Sequence, residues 1–217
     1  MSKKILVGFF SLAIFISSTA FITQDQKANA ILATVSKTYK SYKTIKAGFR
    51  ISIDNQQTNS KINQKGTLYL KGKKFRIDMS DQEIYCDGNK MWTYFKEENE
   101  VQIAKYDPNQ QDINPSEIFT IYKKGFKSKY IGEVLKGNVK VQKIELIPDD
   151  RNKPYFKVKL EIEKATHKIS SMQILNKNGL VTNYSITSFD GNVDISDSFF
   201  KFDSRSKPGV VEIDLTR

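Results

Sequence analysis

The sequence predicts a mainly β fold: one large antiparallel sheet of about eleven strands, accompanied by two amphipathic helices. Three observations predict it. Apolar residues recur at every second position over most of the chain, turn dipeptides punctuate those runs at short intervals, and the period lengthens to that of a helix at only two places.

The first segment reads as a targeting signal. Lys3 and Lys4 precede an apolar run from Ile5 to Ile16, and a polar stretch from Thr23 to Lys27 leads to Ala28-Asn29-Ala30, the three-part pattern of a secretory signal peptide. The run is broken by serines and is short for a bilayer span, which needs roughly 20 apolar residues. Cleavage is expected after Ala30, with Ala20, in Ser18-Thr19-Ala20, as the alternative. The expected product is soluble, exported and not lipidated, since no cysteine follows either site.

Leu32, Val35, Tyr39, Tyr42 and Ile45 then recur at helical spacing, predicting an amphipathic helix over 31–47. From Gly48 the period is two. Phe49, Ile51 and Ile53 alternate with Arg50, Ser52 and Asp54, and Phe75, Ile77 and Met79 alternate with Arg76, Asp78 and Ser80. Such alternation makes half-buried antiparallel strands. Strands are expected at 47–55, 63–71, 73–80, 82–87, 90–96, 100–105, 128–135, 139–147, 155–163, 169–176 and 179–189. Turns such as Lys71-Gly72-Lys73, Asp87-Gly88, Asn178-Gly179 and Asp190-Gly191 separate them. A sheet this long must curl around its apolar face.

Asn114-Pro115-Ser116-Glu117 interrupts the strands with a cap, a first-turn proline and an acidic group, a strong helix start. That second helix carries Ile118, Phe119, Ile121 and Tyr122 and ends at Lys123-Lys124-Gly125. Beyond Phe189, the aromatic Phe199, Phe200 and Phe202 suggest a docked segment, and Val210 to Leu215 is a candidate last strand. With 217 residues, 39% of them hydrophobic, and no repeat or low-complexity linker, a single domain over 31–217 is the simplest reading.

The formal charge is +11; losing residues 1–30 removes Lys3, Lys4, Lys27 and Asp25 and leaves +9. An exported chain with scattered lysines is a poor nucleic-acid binder; the excess suits a solvated surface, an anionic membrane or an acidic partner. The catalytic inventory is thin. His167, the sole histidine, sits in a predicted turn, and Cys86, the sole cysteine, lacks a nearby base and reads as an inert thiol. No G-x-S-x-G, P-loop or G-x-G-x-x-G pattern occurs. No catalytic residue, metal site or cofactor is assigned, and the chain is not expected to be an enzyme. What remains is an apolar sheet face that the helices either fill as a core or leave open as a cavity.

Several motifs converge on a known family. Ile45-Lys46-Ala47-Gly48-Phe49, Lys65-Gly66-Thr67-Leu68-Tyr69-Leu70, Phe75-Arg76-Ile77 and above all Asp87-Gly88-Asn89-Lys90-Met91-Trp92-Thr93-Tyr94, in that order, resemble the periplasmic lipoprotein carriers of the LolA family. The resemblance implies an unclosed antiparallel barrel of eleven strands, with helices as a lid over an apolar cavity. It implies a monomeric periplasmic carrier that takes the acyl chains of lipoproteins released by an inner-membrane ABC transporter and conveys them to the outer membrane, whose acceptor it does not identify. Alternatives are a lipid or glycolipid binder of the same fold and a structural protein with a filled core. Expected cavity residues are Phe49, Ile51, Leu68, Leu70, Phe75, Ile77, Trp92 and Tyr94, each of which would serve equally as core; Ile118, Phe119, Ile121 and Tyr122 would form the lid. The family's lid-holding arginine has no counterpart here, where the chain reads Lys71-Gly72-Lys73-Lys74. Lys71 or Arg76 would have to substitute for it.

Overall fold

The computed structural model describes residues 23–55, 57–107, 119 and 125–216. Helix α1, Gln24–Lys40, starts and ends earlier than the apolar periodicity suggests. Its start is set by a reciprocal cap: Thr23 Oγ1 accepts the Gln26 backbone N–H at 3.2 Å, and Gln26 Oε1 accepts that of Thr23 at 3.1 Å. Asp25 lies in the first turn and Lys37 and Lys40 in the last, each matched to the helix dipole. The polar stretch before Ala28 is therefore the first turn of a helix, and Tyr42 and Ile45 fall beyond its end.

The strands are β1 Ile45–Asn55, β2 Ser60–Lys71, β3 Lys74–Met79, β4 Gln82–Cys86, β5 Lys90–Phe95 and β6 Glu100–Lys105. They continue with β7 Phe126–Lys136, β8 Val139–Pro148, β9 Tyr155–Glu163, β10 Ile169–Asn176, β11 Leu180–Gly191 and β12 Val211–Asp214. All eleven expected strands are present, and the candidate last strand is the twelfth. They form one sheet in the order β12-β6-β5-β4-β3-β2-β1-β11-β10-β9-β8-β7, unclosed, with β12 and β7 at its edges. The described pairings are antiparallel except that β12 runs parallel to β6. The expected second helix falls outside the described residues, apart from Phe119.

Register sorts the side chains into two faces. Ile45, Ala47 and Phe49 on β1 stand opposite Leu70, Leu68 and Gly66 on β2, which continue to Phe75 and Ile77 on β3, Cys86 and Ile84 on β4, and Met91 and Thr93 on β5. In the other direction the same face carries Tyr184, Met172, Leu160 and Ile144. Helix α1 packs on this apolar face at the β7 end, with Ala28, Leu32, Val35 and Tyr39 buried in the main cluster. Asn29 Oδ1 accepts the Ser128 hydroxyl at 2.8 Å, and Lys27 Nζ lies 3.9 Å over the Tyr130 ring.

The C-terminal segment crosses the opposite, outer face of β2 to β6. Phe199 packs edge-on to Tyr69, Phe202 contacts Tyr85 and Tyr94, and the Arg76 guanidinium lies between the Tyr85 and Phe199 rings. Asp197, in a short 3-10 turn, receives Lys74 at 2.8 Å and Lys71 at 3.0 Å. Those two lysines hold its carboxyl down to about 2 from the ordinary 3.8. A depressed carboxyl contributes stability that is complete above its unfolded value and lost as the pH falls through its folded one. Acidification from about 4 to about 2 should therefore loosen this segment, and Asp197→Asn should remove that step. Limited proteolysis across the pH range reads both.

Candidate functional site

The apolar face is not covered evenly. Across β8 and β9, in the cluster that α1 joins, Ile144, Leu146, Val158, Leu160 and Ile162 are at most 1% exposed. Across β11, β1, β3, β4 and β5, Tyr184, Ile186, Phe49, Ile51, Ile77, Ile84 and Met91 are only half-buried. These side chains share one face of the sheet, with Gly66 and Leu68 of the intervening β2 lying between Phe49 and Ile77, so they form a continuous apolar band that α1 leaves accessible.

Local sequence shapes the band. Gly66 lies opposite Phe49, and a β-carbon there would come 2.7 Å from Phe49 Cζ and 2.6 Å from the Asp78 carbonyl oxygen. The glycine makes room for the phenylalanine ring to lie across the strand. A register shift beside Gly48, whose N–H donates to Ser188 Oγ at 3.1 Å, bends the β1–β11 pairing at the same point.

Of the eight expected cavity residues, six share the apolar face. Phe49, Ile51 and Ile77 present half-exposed surface in the band, whereas Leu68, Leu70 and Phe75 are buried as its floor. Trp92 and Tyr94 correct the expectation, because both lie on the outer face. The hairpin register sets Trp92 opposite Tyr85 and Tyr94 opposite Glu83, while Met91 and Thr93 take the apolar side. Tyr94 is buried against Phe202, and its hydroxyl donates to Asn99 Oδ1 at 3.0 Å. Ile84, Met91, Tyr184 and Ile186 join the band without having been expected there; pairing outward from Asp87-Gly88 is the signal that would find the first two.

Cys86 lies in the core with no exposure, and burial pushes its thiol up to about 11, a poor nucleophile. Asp87 makes the turn, its Oδ1 accepting the N–H groups of Asn89 and Lys90 at 2.9 Å each. His167 occupies a turn with φ at 55°. Lys71 and Arg76, the expected substitutes for the missing arginine, both point to the outer face. Lys71 donates to the Ile195 carbonyl at 2.7 Å as well as binding Asp197, and Arg76 Nε pairs with Asp78 at 2.7 Å. They hold the C-terminal segment instead of reaching the apolar face.

Of the expected lid residues, Ile118, Ile121 and Tyr122 fall outside the described residues. Phe119 is 4% exposed and stacks on Tyr39 at 4.4 Å, with the rings 7° from parallel, and it meets Phe189 edge-on. Tyr39 is fixed in turn, because its hydroxyl accepts the Ile169 N–H at 2.9 Å and burial raises its pKa far above the usual tyrosine value. This aromatic stack joins α1, β11 and the segment between β6 and β7.

A groove of about 480 Å³ runs along the opposite, polar face of β7 to β11, lined by Lys136, Lys143, Glu145, Lys159, Glu161 and Gln173 among others. Lys136 pairs with Glu161 at 2.6 Å and Lys157 with Glu145 at 3.1 Å. An acyl chain laid there would desolvate charges without compensation, so of these two described surfaces the apolar band is the one that suits hydrocarbon.

A family model described as outer membrane lipoprotein carrier protein LolA matches residues 40–203. The chain belongs to the LolA family. The match begins at the last residue of α1 and ends at Asp203, so it spans β1 to β11. No curated protein matches the sequence. An uncharacterized conserved protein from Thermus thermophilus is 12% identical, with 87% of this chain and 99% of that one covered and a TM-score of 0.55. At that identity the likeness shows the fold alone. A putative outer membrane lipoprotein-sorting protein domain from Vibrio parahaemolyticus is 10% identical (81% and 97% covered, TM-score 0.49). LprF from Mycobacterium bovis is also 10% identical (80% and 98% covered, TM-score 0.47).

Proposed function

We propose that this protein is an exported lipoprotein carrier that holds acyl chains against the half-exposed apolar band. On this reading it collects cargo from an inner-membrane ABC-type releasing complex and conveys it through the periplasm to the outer membrane. Membership of the LolA family supports the reading, and the band carries it: a contiguous apolar surface that α1 leaves open is what hydrocarbon needs.

Release constrains the mechanism. Each buried methylene is worth about 0.8 kcal/mol, so ten give roughly 8 kcal/mol, and a band that held full chains ideally would not let go. Packing of Phe119 against Tyr39 and Phe189 offsets part of that energy, because this aromatic stack then takes the place of cargo. The double variant Ile118→Asp, Phe119→Asp should capture or deliver lipoprotein poorly in a transfer assay between membranes; normal transfer would remove the lid from the mechanism.

Native mass spectrometry of protein purified from a bacterial envelope without detergent tests the proposal itself. Acylated polypeptide bound to the protein supports a lipoprotein carrier. Phospholipid or glycolipid alone would instead favour a lipid binder of the same fold, and protein that stays empty when offered acylated peptide would overturn carriage.

A further inference from the structure

We infer that the leader is removed between Ala20 and Phe21, and that residues 21–30 remain in the working protein. The sequence holds two candidate signals with small residues at the required spacing, Ser18-Thr19-Ala20 and Ala28-Asn29-Ala30, and the second is the better match to A-x-A. The fold reverses that ranking. Ala28 has no exposed surface and sits in the main apolar cluster beside Leu32 and Val35. Asn29 accepts the Ser128 hydroxyl at 2.8 Å across to β7, and the Lys27 ammonium lies 3.9 Å over the Tyr130 ring of the same strand. Thr23 and Gln26 close the capping box.

Cleavage after Ala30 would discard all of these at once. It would also place a new ammonium at Ile31, on the positive pole of the shortened helix, where cations are unfavourable. The Asp25 carboxylate that matches that pole would be gone. The helical residues left, 31–40, fall short of the roughly 12–15 below which an isolated helix is marginal, and they would lose part of their contact with β7, an edge strand. Cleavage after Ala20 keeps the cap, the first turn and every contact to β7. The reaction is hydrolysis of one peptide bond: water adds to the Ala20 carbonyl carbon, the C–N bond breaks, and Ala20 leaves as a carboxylate while Phe21 takes the proton as the new amino terminus.

The test is N-terminal sequencing and intact mass of the full chain expressed in a bacterium and recovered from its envelope fraction. A terminus at Phe21 is the expected result; a terminus at Ile31, or an intact Met1, overturns the inference. Two variants keep the outcome independent of folding. Ala20→Arg should block processing and leave the precursor, whereas Ala30→Arg, at an exposed helix position, should be processed as the parent. The reverse pattern would assign the cut to Ala30.

Discussion

Replacing Phe75 with alanine is expected to cost about 3–5 kcal/mol of stability, the range for truncating a buried aromatic residue. Phe75 has no exposed surface, stands between Leu70 and Cys86 in the register, and meets Tyr106 edge-on at 5.6 Å. Its neighbours belong to β-strands whose backbones are held by ladders on both sides, so they have little freedom to collapse into the space. Chemical denaturation of parent and variant measures the effect. Against a typical total of about 5–15 kcal/mol, such a loss would leave a marginal protein; a change below about 1 kcal/mol would mean that the floor of the band is soft.

Replacing Ile77 and Ile84 together with glutamine should weaken acyl binding with much less effect on the fold. The two face each other across β3 and β4 and are half-buried, so each has apolar surface for a ligand to cover. If cargo buries roughly half of each side chain, the pair contributes about 1.5–3 kcal/mol, roughly ten- to a hundredfold in affinity. Titration with a fluorescent acylated peptide reads the affinity, and the thermal midpoint checks folding. Trp92→Gln is the matched control. It alters a larger aromatic residue, but on the outer face, and should leave affinity per folded molecule unchanged. Equal losses in both variants would move the acyl site away from the band.

Much of the fold was legible because a strand's side chains alternate with a period of two. Wherever one face is apolar and the other polar, as in Phe49-Arg50-Ile51-Ser52 or Phe75-Arg76-Ile77-Asp78, strand and face are read together. On β5 that signal is ambiguous, since Met91 and Phe95 lie on one side and Trp92 and Tyr94 on the other. Bulk favours the second pair. It chooses wrongly because the outer face here is itself buried beneath Phe199 and Phe202, and a residue's size does not say which of two apolar environments it enters. The unplaced C-terminal aromatics were the one available clue, as they needed a partner surface.

Helix α1 illustrates the complementary limit. Its apolar stripe was visible, but its start depends on Thr23 and Gln26 satisfying one another's backbone groups, within a stretch that also resembles the end of a leader. By itself the sequence determined the strand order along the chain, the turns, the inert cysteine and the family, because each depends on residues close together. Only the tertiary structure decided which face β5 turns inward, that Lys71 and Arg76 hold the C-terminal segment, and that Ala28 belongs to the core. Those outcomes depend on partners far away in the chain: Phe202 for Tyr94, Asp197 for Lys71, and Ser128, reached through Asn29, for the first turns of α1. Local periodicity carries no information about which distant surface will arrive to cover a given side chain.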